Sequence, residues 1–400
     1  MIKKIGINEL SVGMFIHDLD CKWMDHPFLS NRFLIKDSGT IKKMASSGIR
    51  HVYIDTDSGK DLESAKSAKE VHAQLQEEVE SVILKEKTKY KRVEVTEEVN
   101  RARTLYHETK SVIHDLMLDA RMGKQVKVAS LEPMAENIVQ SVFRNSHALT
   151  GISRIKTKDE YTFMHCVSVA GLMATFAKEM NMSEGTIHQI AIGGLIHDVG
   201  KTMIPDAILN KPGKLEDDEM DIMRTHVNHS FEILKQQDGI SEEAMEVTMR
   251  HHERVDGTGY PFGLKGDEIS TIGKMSAIVD VYDALTSVRV YKDAWEPTFT
   301  LRKMLEWSEH HFDKQLVHAF IRCLGIYPVG SLVELESGLI GIVLDQSEDL
   351  LKPKLRIVYN KKANFREMVR DIELERIDYD RIVSFANPLD YDLDITPYLQ

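Results

Sequence analysis

Apolar residues recur at steps of three and four through the middle of the chain, and in short alternating runs at both ends. The ends therefore predict strands and the middle predicts helices. At the N-terminus, Gly13-Met14-Phe15-Ile16 and His51-Val52-Tyr53-Ile54 are β-leaning runs punctuated by Gly, Asp and Ser. Residues 61–94 turn to Ala, Glu, Lys, Gln and Val, a charged helical stretch. Thr96 then opens a clearer helix, in which Val99, Ala102, Tyr106, Ile113, Leu116 and Ala120 form one apolar stripe ending at Gly123. That stripe can seam a coiled-coil homodimer through the N-terminal helices, or pack within its own chain. Ser130 to Arg144 predicts a further amphipathic helix.

The central helices differ from these in carrying histidines on their apolar faces. Thr157-Lys158-Asp159-Glu160 has capping-box spacing and starts a helix with His165, Val169, Leu172 and Phe176 on one side. Ser183 caps the next helix, whose core-like Ile187, Ile190, Ala191, Leu195 and Val199 lead to His197-Asp198 before Gly200-Lys201. An acidic-capped helix with Met220, Met223, His226 and Phe231 follows. Ser241 caps a fourth helix that runs into His251-His252-Glu253-Arg254-Val255-Asp256-Gly257-Thr258-Gly259-Tyr260-Pro261. Neighbouring helical residues point about 100° apart, so the two imidazoles of this pair can converge only where the helix stops. The glycine-rich turn supplies the stop. A helix over Ile272–Tyr291 then buries Met275, Ile278, Val279, Tyr282 and Leu285 with Asp280 and Asp283 among them, and buried carboxylates need partners. Two more helices, near 300–309 and 315–324, precede a switch to β alternation from Val329 onward.

Taken singly, each histidine is better explained as a satisfied core or helix-end residue. Together, His165, His197, Asp198, His226, His251, His252 and Asp280 place seven N/O donors on five helices that must bundle to bury their apolar faces. Seven exceed one tetrahedral zinc. Two octahedral-type ions sharing a carboxylate would use them, with Asp198 the natural bridge, and mixed imidazole and carboxylate donors suit Fe, Mn, Ni or Co as well as Zn. Two such ions about 3.5–4 Å apart act on a phosphoester through a shared water.

Composition narrows the class. The chain is 42% hydrophobic and 28% charged, ordinary for a globular protein of two or three domains. A net charge of -12 disfavours a nucleic acid polymer or an anionic membrane surface, so a phosphate-bearing ligand needs a locally positive pocket. Three widely spaced cysteines, Cys21, Cys166 and Cys323, predict a reducing compartment, the cytoplasm. No run of about 18 apolar residues marks a membrane span or signal peptide.

His197-Asp198-Val199-Gly200-Lys201, His251-His252-Glu253, Asp256 to Pro261 and Asp280-Val281-Tyr282-Asp283-Ala284-Leu285 together resemble the HD-GYP subgroup of the HD phosphohydrolases, in order and spacing over about residues 150–330. Leu10-Ser11-Val12-Gly13-Met14 and His26-Pro27-Phe28 resemble the module that often precedes HD-GYP domains. The resemblance implies a mainly α protein: an N-terminal regulatory and dimerisation module over 1–145 (β-containing over residues 1–60, helical over 61–145), a helical HD-GYP bundle over 146–330, and a small β-rich unit over 331–400. It implies a phosphodiesterase that opens a bacterial cyclic dinucleotide, cyclic di-GMP first and 3′,3′-cyclic GMP-AMP as the alternative, with two divalent metals, Fe or Mn foremost. His165, His197, Asp198 and Asp280 would surround one metal, and His226, His251 and His252 would complete the second. Asp198 and Lys201 would be catalytic, with Lys201 at the scissile phosphate. Tyr260, Arg289, Lys292 and Asp283 would meet the substrate, the Arg–Lys pair suiting a dianion. A catalytically silent receptor would lack a ligand or the lysine, and this chain lacks neither. Tyr161 stands where some members carry a Glu for a third metal.

Overall fold

The computed structural model describes residues 1–19, 32–47, 49–62, 64–71, 93, 95–152, 161–287, 294–308, 310–347, 349, 351–386, 388–391, 393 and 395–399. The aromatic cluster at Trp23–Phe28, most of the charged stretch over 61–94, the Thr157 cap, and Arg289 and Lys292 lie outside the described residues. The chain divides into two compact units, Met1–Glu78 with Asp206–Ile222, and Val79–Pro205 with Met223–Gln400.

In the first unit, strands β1 (Ile2–Gly6), β2 (Phe15–Asp18), β3 (Phe33–Leu34) and β4 (His51–Asp55) form an antiparallel sheet ordered β1-β4-β2-β3. Helix α1 (Ser38–Ser46) is capped by the Asp37 carboxylate, which accepts from Thr40 N–H. Alternation along β1 buries Ile5, which packs with Ile16, Met44, Val52 and Ile54. Two short helices of the second segment, α7 (Asp206–Leu209) and most of α8 (Asp217–Arg224), also belong to this unit.

The second unit is helical and ends in a sheet. Its helices are α2 (Val95–Arg121), α3 (Glu132–Arg144), α4 (Ser146–Ile152), α5 (Tyr161–Glu179), α6 (Glu184–Ile196), α9 (His226–Leu234), α10 (Glu242–Arg250), α11 (Thr271–Thr286), α12 (Pro297–Trp307) and α13 (Lys314–Leu324). The apolar stripe of α2 is consumed within the chain. Val99, Ala102, Tyr106, Ile113, Leu116 and Ala120 are all buried, and Tyr106 donates its hydroxyl hydrogen to the Met164 carbonyl on α5. Buried Glu98 accepts from Arg144 Nε (2.7 Å) and Nη2 (2.8 Å), clamping α2 to α3. A stripe covered this way is not free to seam a coiled-coil dimer, and α2 packs against α4 and α5 of its own unit. The helix expected through Met220, Met223, His226 and Phe231 is broken at Thr225 into α8 and α9, so His226 begins a new helix.

Helix α6 is the centre of the bundle. Its C-terminal half, Ile190–Ile196, is buried on every side, and two glycines let its neighbours close in. A Cβ on Gly194 would lie 2.7 Å from Ala170 Cα on α5, and one on Gly193 would lie 2.9 Å from Ala244 Cα on α10. Those approaches pack α6 backbone-close against α5 and α10. The C-terminal strands β5 (Leu332–Leu335), β6 (Leu339–Asp345), β7 (Lys354–Asn360), β8 (Phe365–Glu373) and β9 (Ile382–Phe385) form an antiparallel sheet ordered β8-β7-β6-β5-β9.

Candidate metal centre

The site is assembled largely from helix ends. His197 follows α6, His226 opens α9, and His251 and His252 follow α10. A helix leaves its last carbonyls unpaired, and imidazoles standing there can use them. His197 Nδ1 donates to Gly194 O (2.8 Å), His226 Nδ1 to Met223 O (2.8 Å) and His251 Nδ1 to Thr248 O (2.7 Å). Carbonyls only accept, so each ring carries its hydrogen on Nδ1 and presents the Nε2 lone pair to the centre. His165 reaches the same point from within α5, and Asp280 from within α11.

Three sets of donor atoms converge within 4.8 Å of one another: His165, His197 and Asp280; His226, His251 and His252; and His197, Asp198 and His251. Asp198 faces both of the first two sets with different oxygens. Its Oδ2 lies 3.4 Å from His197 Nε2 and 3.7 Å from His165 Nε2, while Oδ1 lies 3.4 Å from His226 Nε2 and 3.9 Å from His251 Nε2. Lys201, one turn beyond, places Nζ 2.5 Å from Oδ2.

This donor set fits divalent metal ions. His197 Nε2 and Asp198 Oδ1 are buried and have no hydrogen-bond partner among the described residues. Such atoms are costly unless something satisfies them, and a cation would satisfy both. The protonation states of three imidazoles and both carboxylates also fit. Burial outweighs the Asp198 charge and pushes His226 down to about 4, burial and His197 push His251 down to about 3, and burial together with His251 holds His252 well below its ordinary value. Burial lowers His197 too, but the Asp198 charge outweighs it and the net shift is upward. Burial raises both carboxyls, yet Lys201 and His197 hold Asp198, and His165 and His252 hold Asp280, well below the usual carboxylate range. Neutral imidazoles and ionised carboxylates are the forms that ligate.

Around this centre the sequence-nominated substrate residues separate. The Tyr260 ring stands 4.6 Å from the His252 ring, and burial pushes its phenol well above its ordinary value, so it stays a hydroxyl donor. Asp283, expected at the substrate, sets Oδ2 2.6 Å from His165 Nδ1 and is buried. The Tyr161 side chain, like Arg289 and Lys292, lies outside the described residues. Three further residues shape the site without having been singled out in the sequence. Glu253 is buried and accepts from the Phe262 (2.8 Å) and Leu264 (3.0 Å) amides, pinning the loop that presents Tyr260. Ser230 Oγ accepts from Gly200 N–H and donates to His197 O, tying α9 to the turn after α6. Arg224 lies 5.6 Å from the Tyr260 ring. Glu253 sits inside the motif and could have been flagged there; the other two carry no sequence signal.

Comparison with known proteins agrees with this geometry. Residues 2–131 match a domain of unknown function, DUF3391, and residues 130–316 match the HD domain. A cyclic di-GMP phosphodiesterase of Pseudomonas aeruginosa is 38% identical over 390 residues, 96% of this chain and 92% of that protein. A cyclic di-GMP phosphodiesterase response regulator of Xanthomonas campestris is 39% identical over 38% of this chain and 40% of its own length. A 3′3′-cGAMP-specific phosphodiesterase of Vibrio cholerae is 36% identical over 42% of this chain and 32% of its own length. Among solved structures, an HDG"Y"P protein from Bdellovibrio bacteriovorus aligns with TM-score 0.47 and 16% identity, over 80% of this chain and 98% of that one. The chain thus belongs to the HD-GYP group of HD-domain phosphohydrolases, with a DUF3391 module at its N-terminus.

Proposed function

We propose that this protein is a phosphodiesterase that opens cyclic di-GMP to a linear dinucleotide by adding water across one P–O bond. The observation that carries the reading is Asp198, one carboxylate aimed with separate oxygens at two donor groups. His165, His197 and Asp280 would hold one divalent ion and His226, His251 and His252 the other, with Asp198 shared; Fe or Mn suits this oxygen–nitrogen set best. When bound, the ions supply Lewis-acid polarisation of the phosphodiester and a nucleophilic water at neutral pH.

The chain's own groups do the rest. Lys201, whose ammonium pairs with Asp198, would donate to a phosphate oxygen or the leaving 3′-oxygen. The Tyr260 hydroxyl, kept protonated beside His252, would donate to the ligand. Arg289 and Lys292 would supply the charge for the second phosphate. Chemistry belongs to residues 146–330 and regulation to the N-terminal module. Cytoplasmic placement is supported by Cys166 and Cys323, both buried free thiols, and no described helix is long and apolar enough to cross a membrane.

The relative aligned across nearly the whole chain acts on cyclic di-GMP, which favours that substrate over cyclic GMP-AMP. Product analysis decides between them. Metal-free protein reconstituted anaerobically with Fe(II) or Mn(II) is incubated with each dinucleotide. A linear product from cyclic di-GMP, abolished by a chelator, is expected. Hydrolysis of cyclic GMP-AMP alone would reassign the substrate, and two bound metals with dinucleotide binding but no product would make the protein a receptor.

A further inference from the structure

We propose that Asp283 is a positioning residue: it fixes the ring plane and tautomer of His165 and so holds one of the two metal-binding groups in ligating form. The inference rests on the metal-centre reading above and deepens it. His197, His226 and His251 stand at helix ends and anchor Nδ1 on carbonyls three residues earlier that those ends leave unpaired. His165 has no such recourse. It lies inside α5, where the carbonyls of preceding turns are committed to the helix ladder, so its Nδ1 needs an acceptor from elsewhere.

Helix α11 provides that acceptor. Asp280 and Asp283 are three residues apart, on one face of the helix, and both carboxylates reach the same imidazole. Asp280 Oδ1 lies 3.1 Å from Nε2 and Asp283 Oδ2 lies 2.6 Å from Nδ1. One turn of helix thus faces the ring at both nitrogens. Both partners are almost fully buried, His165 at 1% and Asp283 at 2% exposure, so water does not compete for the bond. A carboxylate accepts, so the shorter 2.6 Å contact places the hydrogen on Nδ1 and increases the basicity of Nε2; Nε2 and Asp280 Oδ1 are then two acceptors 3.1 Å apart that a shared cation would satisfy. Ser287 Oγ stands 3.5 Å from the same Asp283 oxygen. Behind the carboxylate is a small cavity, lined also by Thr150, Leu172, Leu324 and Val329.

Removing the charge and removing the acceptor have different consequences. In Asp283→Ala the ring is free to turn, whereas in Asp283→Asn the amide can present N–H to Nδ1 and drive the hydrogen to Nε2, the tautomer that cannot ligate there. Either change is expected to weaken one metal site roughly 10–100-fold, the usual effect of losing such a partner, and to leave the other site unchanged. Asp283→Glu keeps the acceptor, so it should restore binding to within about threefold.

The test titrates metal-free, full-length protein anaerobically with Mn(II) and with Co(II), following heat and the Co(II) absorption spectrum. Far-UV dichroism and melting of the metal-free forms are recorded alongside. The expected result is two sites in the wild type, one retained and one weakened in Asp283→Ala and Asp283→Asn, and recovery in Asp283→Glu. Two wild-type-like sites in both first variants would overturn the positioning role while leaving the metal centre standing. Equal loss at both sites with a collapsed melting midpoint would show a structural role and also overturn it. No metal bound by the wild type would remove the metal-centre reading and this inference with it.

Discussion

Substituting Gly200 by alanine tests whether the second donor group depends on the turn that follows α6. In a 3-10 turn alanine is ordinarily favoured over glycine by about 0.5–1 kcal/mol, so without a steric conflict the variant should be slightly more stable. The structure gives the opposite sign. A Cβ on Gly200 would lie 2.0 Å from His226 O, 2.4 Å from Ser230 N and 2.7 Å from Ser230 Oγ. The two nearest atoms are backbone, which cannot rotate away. Restoring 2.0 Å to an ordinary 3.4 Å contact moves α9 from the turn by 1.4 Å. His226 is the first residue of α9, and metal ligands hold their distances to about 0.2 Å, so this displacement removes it from the site. Overpacking of this kind costs about 1–3 kcal/mol, and stretching the buried Gly200 N–H from Ser230 adds about 1–3 kcal/mol more. At roughly 2–4 °C per kcal/mol the melting midpoint falls by several degrees. Calorimetric metal titration and thermal melting of Gly200→Ala measure both effects. The expected outcome is one retained and one lost metal site with a lowered midpoint. Two intact sites with a midpoint equal to or above wild type would show that the turn and α9 are not in tight contact, and would refute the argument.

The remaining predictions concern the centre itself. Asp198→Ala should abolish metal loading and turnover while keeping most helicity by far-UV dichroism, because the bundle core does not include that carboxylate; full turnover would exclude Asp198 as the shared ligand. Lys201→Ala should lower kcat far more than it lowers metal content measured by elemental analysis, and an equal loss of both would make the lysine structural. For metal-free protein, His226 at about 4 and His251 at about 3 lie below the unfolded value near 6.5, so between those values the unfolded chain binds more protons and stability falls as pH falls. His252 acts in the same direction, and the raised His197 opposes it only above about pH 6.5, so below pH 6.5 the decline is of the order of 1–4 kcal/mol per pH unit. Melting midpoints that stay flat from pH 7 to 4.5 would show that these imidazoles are not buried as neutral rings.

Much of the centre was legible in the sequence, because its residues occupy positions where local chemistry is distinctive. The Ser183 and Ser241 caps fix where α6 and α10 begin, and both bonds form, to Thr186 N and Ala244 N. A histidine on an otherwise apolar face, or a His pair at a helix stop before Asp-Gly-Thr-Gly, demands a partner. The stripe of α2 was equally visible, but periodicity says only that a face will be covered. Tyr106 meeting Met164, and Glu98 meeting Arg144, decided that its own chain covers it. Asp283 was visible as a buried carboxylate three residues after Asp280, yet whether it meets substrate or another side chain depends on a helix 118 residues away in sequence.

By itself, then, the sequence determined the helix-rich middle, the β-containing ends, the protonation-competent donors and, through their spacing, the family. These follow from the periods of 3.6 and 2 and from the chemistry of side chains at helix ends, which are local properties. Tertiary structure alone decided which oxygen of Asp198 faces which histidines, which face of α2 is spent internally, and which carboxylate grips His165. Those depend on angstrom-scale approaches such as Gly194 against Ala170, where two backbones touch, and no pattern along one chain encodes the distance between two others.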